Sequence, residues 1–176
     1  MEDKQKSVIS SALVFGLITG AAGIVYHLVM YLANLYLNQY VSWLGYLVVA
    51  AGMVYGTLEY RKKQSGGFLT YGKAFSSCFW IGLFAGILST VYFFIFINFI
   101  HPGMVNEIID QARAQMLEKG QMSEDQIEQA LAMQQKFMSP LMMALWGLFA
   151  YAIMSAILGL ILGIFLKKND PDAVTE

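Results

Sequence analysis

Long apolar stretches without a charged residue constrain this chain more than any other feature. Asp, Glu, Lys and Arg are all absent from residues 7–58, 74–106 and 139–166. A helix needs about 20 residues to cross the hydrocarbon core of a bilayer, so the first stretch suits two crossings and each of the others suits one. The core of a soluble domain does not need such runs, and the sequence therefore predicts a membrane protein with four spans.

Polar segments separate the predicted spans, which cover residues 8–33, 41–58, 73–100 and 140–166. The break at 34–42 combines Asn, Gln and Ser with Tyr36 and Tyr40, whose amphipathic rings favour the membrane interface. The first apolar run exceeds the roughly 7–15 residues of a signal-peptide core, so we interpret it as an uncleaved span. We predict an all-α fold, an antiparallel four-transmembrane-helix bundle, in a single domain over residues 1–176.

The basic residues are distributed unequally over the predicted loops. With a cytoplasmic amino terminus, eight Lys and Arg residues lie inside and three lie outside. The inside set is Lys4, Lys6, Arg61, Lys62, Lys63, Lys73, Lys167 and Lys168, and the outside set is Arg113, Lys119 and Lys136. Because cytoplasmic loops carry the excess of Lys and Arg, we expect a multi-pass protein of the bacterial cytoplasmic (inner) membrane with both termini cytoplasmic.

The only sizeable part outside the predicted spans is the segment 102–139, and its pattern is helical. The first apolar face, interrupted at Gly120, consists of Val105, Ile108, Ile109, Ala112 and Met116. Ser123 and Gln126 have the spacing of a capping box, and the apolar face after them consists of Ile127, Ala130, Leu131 and Phe137. The pattern predicts an extracytoplasmic amphipathic helical hairpin that docks on the bundle, on the membrane or on another protein.

The junction between this segment and the last span contains a proline. Ser139 and Pro140 have the residue types of an N-cap and a first helical position. A continuous helix kinked at the proline is the alternative.

Each predicted span carries two glycines spaced four residues apart. The pairs are Gly16 and Gly20, Gly52 and Gly56, Gly82 and Gly86, and Gly159 and Gly163. In lipid, small residues one turn apart let helix backbones approach closely, because hydrophobicity alone does not drive helices together there. We predict that these GxxxG pairs pack the spans within one chain, and a dimerisation face is the alternative.

Composition and charge argue against several classes of function. The chain is 57% hydrophobic and 13% charged, with a formal net charge of −1, so it lacks the basic face of a nucleic-acid-binding protein. The single cysteine, Cys78, forms no intramolecular disulfide and no cysteine metal cluster. The spans contain no nucleophile with a base and no paired carboxylates, so we expect neither an enzyme nor a cofactor.

Two histidines, one within a predicted span and one at the end of another, are candidate functional residues. His27 lies within the first span near Tyr26 and Tyr31, and an ionisable residue inside a membrane suggests a function. A neutral imidazole bonded to a neighbouring helix is the alternative. His101 lies at the outer end of the third span. Two histidines without a defined carboxylate partner do not make a metal site, so we expect no metal.

One segment of the sequence combines a basic cluster, a Gly-Gly turn and an aromatic motif. Residues 56–75 read GTLEYRKKQSGGFLTYGKAF, a basic exit from one span, a Gly-Gly turn, and a Tyr-Gly-Lys-Ala-Phe start to the next. The segment resembles the bacterial membrane family catalogued as domain of unknown function 4199, and the similarity extends over almost the whole chain. The resemblance implies a four-span protein of the bacterial cytoplasmic membrane and brings no activity and no functional residue with it.

The residues of this motif also have a physical interpretation. Gly66 and Gly67 allow backbone angles that are closed to other residues, so a short turn can reverse the chain. We expect Arg61 and Lys73 to face the headgroups, where basic residues set topology and contact anionic lipids. A specific phosphate site is the alternative, although no P-loop pattern supports it. Glu59 is predicted to form an exposed ion pair with Arg61, which contributes little.

These observations predict a non-enzymatic integral membrane protein with a structural, accessory or interaction role. The predicted partners are the lipid bilayer and either a membrane protein or a second copy of the chain. The alternative is a small oligomeric transporter or channel in which Thr19, His27 and Asn98 line a polar path. The scarcity of charged residues and of proline-broken helices in the spans argues against transport.

Overall fold

The structure, a computed structural model, describes residues 7–120 and 122–170, without the side chains of Gln39 and Ser42. Six α-helices account for most of these residues. They are α1 (Val8–Leu32), α2 (Gln39–Gln64), α3 (Tyr71–Ile95), α4 (Met104–Lys119), α5 (Glu124–Phe137) and α6 (Pro140–Leu166). The described residues form no β-strand, only one isolated β-bridge, so the predicted all-α fold is confirmed.

Three helical segments are long and apolar enough to cross a membrane. They are Val8–Leu32, Tyr71–Ile100 and Pro140–Leu166, which match three of the four predicted spans within a few residues. The remaining predicted span lies within α2, which is not among the three and which carries Glu59, Arg61, Lys62 and Lys63 near its end. The helices are therefore compatible with a membrane protein, and the count of four spans stays a prediction. Lys4 and Lys6 lie outside the described residues.

The predicted polar break between the first two spans is a tight connection. Asn34 has a φ of 55°, in the left-handed region, directly after α1. The Asn38 side chain then accepts hydrogen bonds from the backbone N–H groups of Tyr40 and Val41, at 2.9 and 3.3 Å. Asparagine tolerates left-handed angles and caps helices well, which is why two asparagines suffice to end α1 and start α2.

A π-helical turn, Phe96–Ile100, continues α3. The side-chain amide of Asn98 donates a 2.7 Å hydrogen bond to the carbonyl of Phe94, four residues earlier. The side chain of Asn98 thus bonds to the carbonyl one helical turn before it. The backbone N–H of His101 donates to Phe96 O, five residues back, at 2.8 Å, which is the spacing of a π-helix.

The chain divides into two compact units, and the first comprises residues 7–89 and 148–170 of the described chain. Its buried apolar core includes Ala12 of α1, Met53 of α2, Ile81 of α3 and Leu166 of α6. Four helices thus contribute to one core, although they are distant in sequence. In lipid, such contacts between helices are stabilised by close van der Waals packing, because the hydrophobic effect does not drive apolar helices together there.

Glycines account for the close approach of helices within the first unit. A Cβ added at Gly16, Gly52, Gly56, Gly82 or Gly86 would lie closer than 3.0 Å to an atom of a neighbouring helix. At Gly20, Gly159 and Gly163 the nearest atom would be 3.1 to 3.3 Å away. All eight paired glycines therefore face another helix, and a larger residue at most of them would force the helices apart.

The second unit comprises residues 90–147, of which Gln121 is not described. Within it α4 and α5 pack against each other through the buried side chains of Ile109, Ile127 and Leu131. We call these two helices the α4–α5 pair. Phe137, predicted on the same face as Ile127, is instead 58% exposed, because ten residues at about 3.6 per turn rotate it away from that face.

The ends of the helices in this unit follow the predicted signals. The φ of Gly120 is 61°, a left-handed conformation that ends α4. The predicted capping box is complete, since Ser123 N donates to Gln126 Oε1 at 2.9 Å and Gln126 N donates to Ser123 Oγ at 3.4 Å. Ser139 caps α6 by accepting from Met142 N at 3.3 Å, so α5 and α6 are separate helices.

Candidate functional site

The Gly-Gly turn of the motif lies in the first unit, where it closes the connection between α2 and α3. The φ angles of Gly66 and Gly67 are 61° and 87°, both in the left-handed region that favours glycine. Gly67 N donates to the carbonyl of Arg61 at 2.9 Å, and Phe68 N donates to the carbonyl of Ser65 at 3.1 Å. The turn therefore ends α2 by satisfying one of its last carbonyls.

The residues after this turn are joined to the end of α6. Leu69 N donates to Lys168 O at 2.7 Å, and Lys168 N donates to Leu69 O at 2.8 Å, which makes an isolated antiparallel bridge. The Lys168 ammonium lies 5.6 Å from the centre of the Phe68 ring, a cation–π geometry. Leu69 is buried, at 2% exposure. Backbone and side chains thus hold the two segments together.

An arginine completes the junction. Arg61 Nη1 donates a 3.0 Å hydrogen bond to the carbonyl of Leu166, the last residue of α6. The last carbonyls of a helix have no partner within it and carry partial negative charge, so a guanidinium there is favourable. We call Arg61, Phe68, Leu69, Leu166 and Lys168 the clasp.

The acidic residue of the motif has a different partner from the predicted one. Glu59 Oε2 lies 2.7 Å from Lys63 Nζ, one turn further along α2, so the predicted pair with Arg61 is wrong. Arg61 bonds instead to the Leu166 carbonyl. The hydrogen bond from Lys63 lowers the pKa of Glu59, and the same bond raises the pKa of Lys63. Spacing of four residues on a helix favours this pairing.

Several basic residues around the clasp are exposed. Lys62 and Lys73 lie on either side of the Gly-Gly turn, and Lys167 follows α6, all with exposed side chains. Lysine ammonium groups at such a position attract anionic headgroups or other anions. The contacts within the clasp hold the end of α2 and the residues after the Gly-Gly turn against the end of α6.

The clasp lies within the part of the chain that matches a known protein family. A family model matches residues 14–168, which include all five residues of the clasp, and its description is protein of unknown function (DUF4199). The chain belongs to this family. The resemblance found in residues 56–75 is thereby confirmed. Searches of curated proteins and of solved structures each found no match for this DUF4199 chain.

His27 lines a cavity of about 230 Å³ in the first unit, away from the clasp residues. We call it the tyrosine cavity, and it is lined by Gly23, Tyr26, His27, Met30, Tyr36, Val41, Gly45, Tyr46, Val49 and Tyr151. The Tyr26 hydroxyl donates a 2.6 Å hydrogen bond to the Val41 carbonyl, which links α1 to the first turn of α2. The cavity therefore has aromatic walls, of which the Tyr26 ring is held by this hydrogen bond, and one imidazole.

Buried hydroxyl groups form another polar feature of the first unit. Thr57 Oγ1 donates to Ser77 Oγ at 3.0 Å and lies 3.4 Å from the Cys78 sulfur. Such a cluster satisfies polar groups between helices and stabilises their packing. Ser155 Oγ is buried against Gly82 and has no hydrogen-bond partner among the described residues. The Thr19 hydroxyl bonds the Phe15 carbonyl of its own helix at 2.7 Å.

His101 lies in the second unit and has an acidic neighbour. Its Nε2 lies 3.1 Å from Glu107 Oε1, in the first turn of α4. Sequence reasoning did not identify Glu107 as the partner of His101. The signal that could have found it is the Pro102-Gly103 turn, which can bring an acid six residues later back towards the histidine. Within residues 7–120 and 122–170, no group of three or more His, Cys, Asp or Glu side chains is arranged to hold a metal ion.

The structure thus places the predicted site residues at three locations. Arg61, Gly66 and Gly67 meet at the clasp and its turn, while Glu59 and Lys73 flank it. His27 lines the tyrosine cavity, and His101 belongs to the second unit. Sequence reasoning missed Phe68, Leu69 and Lys168, because the bridge joins segments far apart in the chain.

Proposed function

We propose that this protein is a non-enzymatic, four-span protein of the bacterial cytoplasmic membrane that presents the α4–α5 pair to a partner protein outside. The observation that carries the proposal is the self-contained packing of that pair. Ile109, Ile127 and Leu131 bury the main apolar faces against each other. Apolar side chains that remain outside this core, Met133 at 66% and Phe137 at 58% exposure, are then available to another protein.

The composition of the pair supports an aqueous location. α4 and α5 alternate charged and apolar side chains, and Arg113 lies 3.5 Å from Glu128 across the pair as an exposed ion pair. Met133 and Phe137 lie four residues apart on α5, so they share one side of that helix. A patch of methionine and phenylalanine is typical of adaptable protein interfaces.

The composition and the burial of α2 support a fourth span. α2 is a 26-residue helix whose residues before Glu59 include no charged side chain. Its core residues Val49 and Met53 are buried with residues of the three more apolar helices. Four crossings return the chain to the side on which it started, so the clasp and the carboxyl end share the cytoplasmic side.

Thiol accessibility tests the topology. In a Cys78→Ser background, single cysteines replace Ser123 and Ser65, and intact cells are treated with a membrane-impermeant maleimide. We expect labelling of the Ser123→Cys variant and none of the Ser65→Cys variant until the membrane is permeabilised. Labelling of the Ser65→Cys variant alone in intact cells would reject the proposed orientation.

Site-specific photocrosslinking in native membranes tests the interaction. A photoreactive residue is placed at Met133, at Phe137 and, as the exposed control on the opposite side of α5, at Gln135. We expect one discrete crosslinked species from the first two positions and none from Gln135, with a mass that distinguishes a different protein from a second copy. Equal crosslinking at all three positions, or adducts with lipid only, would contradict the proposal.

A further inference from the structure

The tyrosine cavity in the first unit has the properties of a ligand site within the membrane. Gly23 and His27 of α1, Gly45 of α2 and Tyr151 of α6 contribute to its walls, so three helices line this partly open cavity. Its volume is about 230 Å³. Pockets that bind drug-sized ligands measure roughly 300–1,000 Å³, so this smaller cavity suits a single substituted ring rather than a nucleotide or a whole lipid.

Two glycines create the space. A Cβ at Gly23 would meet no atom within 4 Å, and the nearest atom to a Cβ at Gly45 is in the Tyr26 ring, at 3.6 Å. These glycines differ from the eight paired glycines, where neighbouring helices fill the space. Because Gly23 also lines the cavity, the open space at its Cβ position is part of the cavity volume.

The chemistry of the walls selects the occupant. None of the described side chains that line the cavity is Asp, Glu, Lys or Arg, so an ion has no countercharge there. Aromatic rings at the walls favour a flat, uncharged ring by stacking or edge contacts. The hydroxyls of Tyr46 and Tyr151 make no hydrogen bond to the described residues. As phenols they are donors, so acceptor atoms on the ring would be satisfied.

We propose that this cavity binds one uncharged ring that carries carbonyl acceptors, the chemistry of a quinone head group. Such rings are dissolved in the membrane, where the cavity lies according to the predicted spans. The two tyrosine hydroxyls donate to the carbonyl oxygens, and the Tyr26 ring is held in place by its bond to Val41. The proposal concerns binding and includes no redox step. It does not depend on the proposed interaction of the α4–α5 pair.

Calorimetric titration of the full-length protein in lipid nanodiscs tests the proposal. The probe is decylubiquinone, and empty nanodiscs provide the correction for partition into lipid. We expect saturable binding of one molecule per chain. Decylbenzene, which has a ring and the same tail but no carbonyl, is expected not to compete. Absence of saturable binding, or equal competition by decylbenzene, would overturn the proposal.

Variants separate the cavity from the rest of the protein. Gly23→Leu fills the space and is expected to weaken binding at least about tenfold. Gly147→Leu is the matched control, since a Cβ there also meets no atom within 4 Å and Gly147 does not line the cavity. If Gly23→Leu does not fold, Tyr46→Phe combined with Tyr151→Phe keeps the rings and is expected to weaken binding about five- to fiftyfold. Unchanged affinity in a folded cavity variant would overturn the proposal.

Discussion

Leu69 and Lys168 exchange both of their backbone hydrogen bonds, at N–O distances of 2.7 and 2.8 Å, although they lie in opposite halves of the chain. The bridge fixes the connection between α2 and α3 to the residues that follow α6. Connections between helices are usually among the least constrained parts of a protein. Here the basic segment of the family motif is instead a fixed part of the first unit.

Arg61→Ala is expected to lower the free energy of unfolding by about 1.5–3 kcal/mol, because the guanidinium donates a charge-assisted hydrogen bond to the carbonyl of Leu166. Lys62→Ala is the matched control, since the exposed Lys62 side chain has no contact of this kind. Its effect is expected to stay within about 0.5 kcal/mol. Thermal unfolding in detergent measures both, and equal effects would show that the Arg61 bond does not stabilise the fold.

Gly67→Ala is expected to destabilise the protein by about 1–2 kcal/mol, because alanine is strained at a φ of 87°. A Cβ at Gly67 meets no atom within 4 Å, so the loss comes from the backbone alone. Gly72→Ala, in the first turn of α3, has equal room and a helical backbone, and should be neutral or stabilising. Denaturant titration compares the two, and a neutral Gly67→Ala variant would contradict the argument.

The Glu59–Lys63 pair is expected to make a small, pH-dependent contribution to stability. The pKa of Glu59 is lowered in the folded protein, so its contribution is present above the usual carboxyl value of about 4.3 and is lost as the pH falls through the lowered pKa. The pKa of Lys63 is raised, so its contribution is present below the usual value of about 10.4 and is lost as the pH rises through the raised pKa.

A double-mutant cycle with Glu59→Gln and Lys63→Met measures this coupling between pH 3 and 11. We expect a plateau between the two usual values, a decline at both ends, and a reduction of the plateau by salt, because the Lys63 side chain is 74% exposed. A coupling that does not change over this pH range would show that the pair is not ionic.

Gly52→Ala is expected to destabilise the first unit by about 1–3 kcal/mol, because the new methyl group overlaps the Thr19 side chain. Gly147→Ala adds the same group where a Cβ meets no atom within 4 Å, and is expected to leave the melting temperature unchanged or raised. The two melting temperatures in detergent check the prediction. A neutral Gly52→Ala variant would mean that α1 and α2 do not depend on this close approach.

Ile127→Ala is expected to cost about 2–4 kcal/mol in the second unit, because Ile127 is 2% exposed in the core of the α4–α5 pair. Met133→Ala, at 66% exposure, is the control and should cost less than about 0.5 kcal/mol. Amide hydrogen exchange of α4 reports the loss, since Ile109 of α4 packs on Ile127 and weaker packing increases the opening of the helix. Equal protection of α4 in both variants would contradict the packing.

Local signals in the sequence were sufficient for most helix boundaries. The left-handed Gly120, the capping box of Ser123 and the start of α6 at Pro140 each depend on residues within one turn of the boundary. α2 is the exception, since it extends to Gln64, beyond the predicted span that ended at residue 58. Hydropathy marks where a helix leaves the apolar core, and a helix can continue past that point.

The sequence by itself determined the all-α fold, three helices apolar enough to cross a membrane, the family, and the left-handed turn at Gly66 and Gly67. Each of these depends on composition or on neighbouring residues. Only the tertiary structure decided that Glu59 pairs with Lys63 while Arg61 bonds to Leu166, that Leu69 bridges to Lys168, and that tyrosines from different helices surround a cavity at His27. These contacts join segments far apart in the chain, and no local pattern specifies which of several equivalent basic or aromatic residues will meet.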